Sequence, residues 1–205
     1  MTIEEDRYFS VDTGPEVESR VLASRFAAQA FRADDDDAGR ALVDAIRRRY
    51  HDASHHCWAS RLGEPGAVVD RADDAGEPGG TAGAPILAAI THAGLHDTLV
   101  VVTRWFGGTK LGTGGLVRAY GDAARAALEA APRRELWREA LLAVECNWPD
   151  VGAVEAVLAR EGRFIRRCTR DFATAPRFEV AVLRGREAAL RDALREATGA
   201  RARVG

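Results

Sequence analysis

The pattern of apolar and polar positions along this chain centres on residues 99–103. Leu99-Val100-Val101-Val102-Thr103 is an unbroken, largely β-branched run without polar alternation. Such a run predicts a strand covered by protein on both faces. Beyond a glycine-rich stretch, Leu116, Tyr120, Ala124, Ala127, Leu128 and Ala131 recur at three- and four-residue steps. That is the apolar stripe of a helix, with Thr113 placed as its N-cap. Strand, glycine loop and helix follow one another.

The same reading assigns the flanking elements. Residues 17–22 and 26–31 predict paired strands. Asp34 to Asp37 precede a stripe of Ala41, Leu42, Ala45, Ile46 and Tyr50, so these acids are expected to cap a helix and favour its dipole. Residues 53–62 predict a strand with His55, Cys57 and Ala59 on one face and His56, Trp58 and Ser60 on the other. Residues 71–85, with acids set among glycines and bounded by Pro85, predict a shaped loop; a helix begins near Thr81 and covers residues 84–93.

Pro132-Arg133-Arg134 breaks the pattern, which places a domain boundary between residues 1–131 and 132–205. The second part reads as strand 141–146, helix 151–160, strands 164–169 and 177–183, helix 186–198 and strand 202–204. That βαββαβ order is the ferredoxin-like pattern. The fold class is α+β.

Composition narrows the functions. A chain of 205 residues, 46% hydrophobic, can bury a real core. No apolar run nears the roughly 20 residues that a membrane helix needs, and residues 1–14 carry Glu4, Glu5 and Asp6 instead of a basic, apolar leader. The expected location is the cytoplasm. Cys57, Cys146 and Cys168 are odd in number and widely spaced, unlike a disulfide framework or a structural zinc site. From Pro132 onward there are 15 basic and 11 acidic residues, against 14 and 20 before it. The overall balance is far from that of a dedicated nucleic-acid binder, although local patches remain, including Arg163, Arg166, Arg167 and Arg170.

The glycine-rich stretch carries the candidate chemistry. Gly107, Gly108, Gly112, Gly114, Gly115 and Gly121 cluster where no acidic residue occurs from Thr98 to Gly121, while Arg104, Lys110 and Arg118 fall there. Lys110 is the sole lysine among 29 basic residues. Exposed amides at a helix start, its positive dipole end and nearby cations form an anion seat. The alternative is that the glycines only let the helix pack tightly on the sheet. The motif lacks the Lys-Ser/Thr ending of a P-loop, and Val117 stands where the dinucleotide fingerprint requires glycine or alanine. In the second loop, Asp74 and Glu77 offer carboxylates to a cleft, to a cation, or to Arg104 and Lys110 as internal ion pairs. Gly80 and Thr81 belong to this loop. No Gly-x-Ser-x-Gly elbow or His-Glu-x-x-His helix is present.

With these residues assembled, the chain resembles the IMPACT/YigZ family. The resemblance rests on Thr103 to Gly108 followed by Leu111 to Tyr120, on Ala53-Ser-His55-His-Cys57-Trp-Ala59, and on Gly76-Glu77-Pro78-Gly-Gly80-Thr81-Ala82-Gly83. It implies an N-terminal domain of the small-subunit ribosomal protein and elongation factor G domain IV type, and a C-terminal domain like other elongation factor G domains. In eukaryotic relatives it points to control of translation through a stress-kinase pathway, by contact with protein partners. Two departures stand out: Ala75 occupies the second place of an aspartate pair that usually precedes Gly-Glu-Pro, and Trp105 replaces a Tyr or Phe.

These features lead to a non-enzymatic binding protein for RNA, the ribosome or a translation-related partner, either a monomer or a small homo-oligomer, without cofactor or metal. Its expected anion contacts are Arg104, Gly107, Gly108, Lys110, Gly112, Thr113, Gly114, Gly115 and Arg118. An alternative is an enzyme on a small phosphate- or carboxylate-bearing substrate, with His55, Asp74 or Glu77 as acid or base. A small-molecule kinase superfamily shares the N-terminal fold type, but its serine-bearing phosphate loop is missing here. A third reading is a protein-interaction regulator that binds no nucleic acid.

Overall fold

The computed structural model describes residues 3–205. They form two compact units, residues 8–136 and residues 3–7 with 137–205. Just after Pro132, Arg133–Trp137 forms a strand, β7, which pairs with β1 (Arg7–Val11) in a separate two-stranded sheet. Pro132 lies just outside that strand, and its carbonyl accepts the Asp12 N–H at 2.8 Å. Proline is tolerated at such a flank because no ladder donor is required of it.

The larger unit is built on five strands in the order β2 (Val17–Val21), β3 (Ser24–Arg32), β6 (Thr98–Trp105), β4 (His55–Leu62) and β5 (Val69–Asp73). Neighbours run antiparallel. The unalternating run of residues 99–103 is the central strand, and its side chains feed two cores. Val100 and Val102, with Phe26, Ala28, Cys57 and Ala59, pack beneath α2 (Gly83–His92) and α3 (Gly112–Ala130). Leu99 and Val101, with Phe31 and Leu62, meet Val43 and Ile46 of α1 (Asp36–Arg49) on the opposite face. Period-two alternation places His55 and Cys57 on the α2/α3 side, the side that also receives Arg104.

In the larger unit an aspartate meets two of the three helix starts. Asp35 caps α1 by accepting the Ala38 N–H at 2.8 Å. Asp74 caps α2 from a distance, as described below. Thr113 does not cap α3: Leu111 occupies the N-cap position without a side-chain bond, and Thr113 already lies in the first turn. Gly112 adopts φ +69°, so the chain turns into the helix through a left-handed glycine, and the N-cap lies two positions earlier than the capping pattern suggested.

In the second unit, β8 (Glu139–Glu145), α4 (Val151–Arg160), β9 (Ile165–Asp171), β10 (Arg177–Leu183), α5 (Glu187–Ala197) and β11 (Arg203–Val204) form a sheet of order β11-β8-β10-β9. All its pairs are antiparallel. Leu142, Val144, Phe178, Val180 and Val182 of the strands pack with Val154, Leu158, Leu190 and Leu194 of the helices. Its arginine-rich edge is largely engaged. Arg170 makes a two-point contact with Glu155 at 2.7 and 3.0 Å, Arg166 lies 4.8 Å over Trp137, and Arg163 lies 4.4 Å over Phe164.

Candidate anion-binding cleft

Central strand β6 delivers Arg104 to the α2/α3 side just before the strand ends. Its side chain is 4% exposed, and that of Glu77 is 5% exposed. Arg104 Nη1 donates to Glu77 Oε1 at 2.5 Å, and Nη2 donates to Ser24 Oγ at 3.0 Å. Tyr120 donates its hydroxyl to the same Glu77 oxygen at 2.8 Å. The ion pair weighed from the sequence as an alternative to a free cleft cation therefore exists. Arg104 is a buried, neutralised element of the cleft wall.

His55 stands beside this pair. Its Nδ1 lies 3.0 Å from the Ala75 carbonyl, which can only accept, so Nδ1 carries the proton. Nε2 then points towards Glu77 Oε1, 3.8 Å away. The Cys57 thiol donates to the Asp74 carbonyl at 3.1 Å, and burial pushes its pKa up to about 12. A thiol in that state is no nucleophile at neutral pH. Burial likewise drives Tyr120 well above the ordinary phenol range, with Cys57 beside it adding to the effect.

Asp74 is fully engaged. Its carboxylate accepts N–H bonds from Gly80, Ala82 and Gly83 at 2.7, 2.9 and 2.8 Å. Burial alone would raise its pKa, but these donors outweigh burial and hold the carboxyl below its ordinary value. Thr81, 5% exposed, donates its hydroxyl to the Pro78 carbonyl at 2.6 Å. Asp74, Gly80 and Thr81 thus build the loop and the start of α2, while Glu77 and Pro78 reach the cleft.

The glycine loop divides into a packed end and an open end. A Cβ at Gly107 would lie 1.9 Å from the Ala23 carbonyl oxygen, so glycine there is a packing requirement. At Gly108, Gly112 and Gly114 a Cβ would meet nothing within 4 Å, and Gly108 and Gly112 have φ of +91° and +69°. Gly115 abuts its own turn, with Leu111 Cβ 3.1 Å from the Cβ position. Tight packing therefore requires glycine at Gly107, while Gly108, Gly112 and Gly114 face open space.

His55, Glu77, Arg104, Phe106, Lys110 and Thr113 line one cavity of about 380 Å³. Lys110 is exposed and, among the described residues, has no ion pair or hydrogen bond. Arg118 is exposed on α3, where its Nε donates to the Gly114 carbonyl at 3.4 Å, and it does not line this cavity. A larger cavity of about 600 Å³ lies beneath α1 on the other face. Its charges compensate one another, as in Arg71–Asp36 at 2.5 Å and Arg47–Asp44 at 3.4 Å. Among the described residues, no three His, Cys, Asp or Glu side chains gather to hold a metal ion. Likewise, no helix of the described residues is long and apolar enough to cross a membrane.

Sequence reasoning missed Ser24, Phe106 and Tyr120. Tyr120 was hidden by its place on the apolar stripe of α3, where the ring packs at 5.3 Å against Phe26 while the hydroxyl reaches Glu77. Phe106 lies inside the glycine motif and is 46% exposed, a wet aromatic next to a cation.

The fold and this cleft define a two-unit α+β protein with a glycine-loop cleft in its larger unit. The Impact N-terminal domain model matches residues 22–128. The IMPACT family member YvyE of Bacillus subtilis (strain 168) is 36% identical over 160 residues, covering 77% of this chain and 72% of the relative. YigZ of Escherichia coli (strain K12) is 34% identical over 152 residues, covering 73% and 74%. A solved structure described as that of a hypothetical protein matches with a TM-score of 0.71 at 28% identity, covering 97% of this chain and 96% of that one. The chain belongs to the IMPACT family.

Proposed function

We propose that this chain is a non-enzymatic, cytoplasmic binding protein whose cleft accepts the phosphate of an RNA, ribosomal or other translation-related partner. The observation that carries this reading is a contrast between two helix starts on one face of the sheet. At the start of α2 the Ala82 and Gly83 amides are held by the Asp74 carboxylate, whereas among the described residues no side chain accepts from the start of α3, which lies beside unpaired Lys110 and on the wall of a cavity. Unbonded first-turn amides and the helix dipole favour an anion there. The Arg104–Glu77 pair matters as well, since a bare glutamate in the cleft would repel phosphate.

Family membership supports the translation-related setting, as do the folds it implies: the ribosomal-protein and elongation factor G domain IV type for the larger unit. The strand order of the smaller unit fits the ferredoxin-like pattern.

Salt-dependent RNA binding tests this. Lys110→Ala is expected to weaken binding and to reduce the slope of log K against log salt by about 1, as loss of one phosphate contact should. Unchanged affinity and slope contradict the reading, and partners that co-purify after nuclease treatment would favour the protein-only alternative. One observation favours a second reading, an enzyme on a small phosphate- or carboxylate-bearing substrate: the fixed tautomer of His55, a residue that lines the cavity with its Nε2 3.8 Å from Glu77 Oε1. Turnover of a phosphorylated metabolite that is lost in His55→Gln would establish it.

A further inference from the structure

Phe106 is the feature of the cleft that phosphate binding does not use. The residue is 46% exposed and lines the same cavity as Lys110. Its backbone is held on both sides. The Phe106 N–H donates to Ser54 Oγ at 3.0 Å, and the next residue, Gly107, is pressed against the Ala23 carbonyl. The Arg104 guanidinium carbon lies 5.5 Å from the ring centre. Arg104 also lines the cavity and keeps a buried Nε–H without a hydrogen-bond partner. An exposed aromatic side chain on an anchored backbone therefore stands beside Lys110, an unpartnered buried donor and the uncapped start of α3.

This is the combination by which unpaired nucleotides are held, with a base stacked on an aromatic face and its phosphate on cations and amides. Size separates single strands from duplexes. A cavity of about 380 Å³ lies at the small end of ligand-pocket volumes, roughly 300–1,000 Å³. An A-form duplex keeps its bases stacked inside and presents phosphates outward, so it can reach Lys110 but offers no base to Phe106. Resting on the phosphate-binding reading above, we propose that the cleft admits one unpaired nucleotide, base against Phe106 and phosphate at Lys110 and the open amides of α3. The chain thereby selects single-stranded RNA over duplex.

Fluorescence anisotropy on the full chain tests this with three probes: an unstructured single-stranded RNA of about ten nucleotides, a blunt duplex of the same length and an abasic strand of that length. The single strand is expected to bind about tenfold tighter than the other two. Phe106→Ala should lower single-strand affinity about tenfold, to the level of the abasic probe, while leaving duplex and abasic binding unchanged. Phe106→Trp should retain the preference, which shows that a folded cleft with a stacking face is what matters. Equal affinity for all three probes, or a Phe106→Ala variant without effect while Lys110→Ala weakens every probe, overturns the nucleotide proposal and leaves the phosphate reading standing. If Lys110→Ala changes none of the three, both fall.

Discussion

Glu77 and Arg104 are buried together, and their pairing decides which charges the cleft presents. Removing one partner strands the other inside the protein, a change that costs about 3–5 kcal/mol for buried pairs. Glu77→Ala and Arg104→Ala are each expected to lower stability by that order in urea unfolding. The double variant should lose less than the sum of the two, because the residues share one interaction. Strict additivity would mean that the pair is not coupled. The sequence offered this pair only as one of several partners for two carboxylates, since Glu77 and Arg104 are 27 positions apart and the loop between has no periodicity to read. Lys110 was legible for the opposite reason: it lies in the motif itself, and no acidic residue lies near it in sequence. Asp74 and Glu77 looked equivalent in the sequence, yet one caps a helix and the other meets a guanidinium. Between them the loop turns through two left-handed residues, Ala75 with φ +47° and Gly76 with φ +87°.

At the scale of elements, α2 and α3 show how differently two helix starts can be completed. The stabilisation that Asp74 gives α2 depends on its charge. Because its folded pKa is depressed, that contribution is fully present above the unfolded carboxylate value, near 4, and is lost as pH falls through the lower folded value. Asp74→Asn is therefore expected to be destabilised relative to the parent at pH 7, with the gap closing on acidification below pH of about 4. A gap that stays constant with pH would contradict the charge-based cap.

The glycine loop gives a paired prediction in thermal unfolding. Gly107→Ala drives a methyl into the Ala23 backbone and should cost about 1–3 kcal/mol or more. Gly114→Ala, within the helix and facing open space, should be neutral or stabilising by up to about 1 kcal/mol. Equal effects at the two positions would show that the loop is not divided as described. The sequence revealed the cluster of glycines and not this division, because packing against Ala23 is set by a distant strand turn. Thr113 misled for a related reason: cap propensity is local, whereas the left-handed Gly112 fixes where the helix begins.

For the whole molecule, the regular elements were readable wherever one face is buried. Strands 17–22, 26–31 and 53–62 and most of the βαββαβ segment lie close to their observed positions, since burial imposes the period that the sequence displays. β1 and β7 were not readable. Arg133-Arg134-Glu135 shows no apolar face, and β7 exists through pairing with a strand more than a hundred residues away, braced by Arg134 Nε on Asp12 at 2.6 Å. Recognition of the cleft as one place required the fold, which brings the 76–83 loop, following β5, and the 107–115 loop, following β6, to a single cavity on either side of β4.

The central claim is that the first amides of α3 are open to an anion while those of α2 are not. The most direct measurement is amide chemical-shift titration of isotopically labelled protein with a short single-stranded RNA. The account predicts that the N–H signals of Thr113, Gly114 and Gly115 move together and saturate, and that those of Gly80, Ala82 and Gly83 stay in place. Unmoved α3 signals, or equal movement at both helix starts, would contradict it.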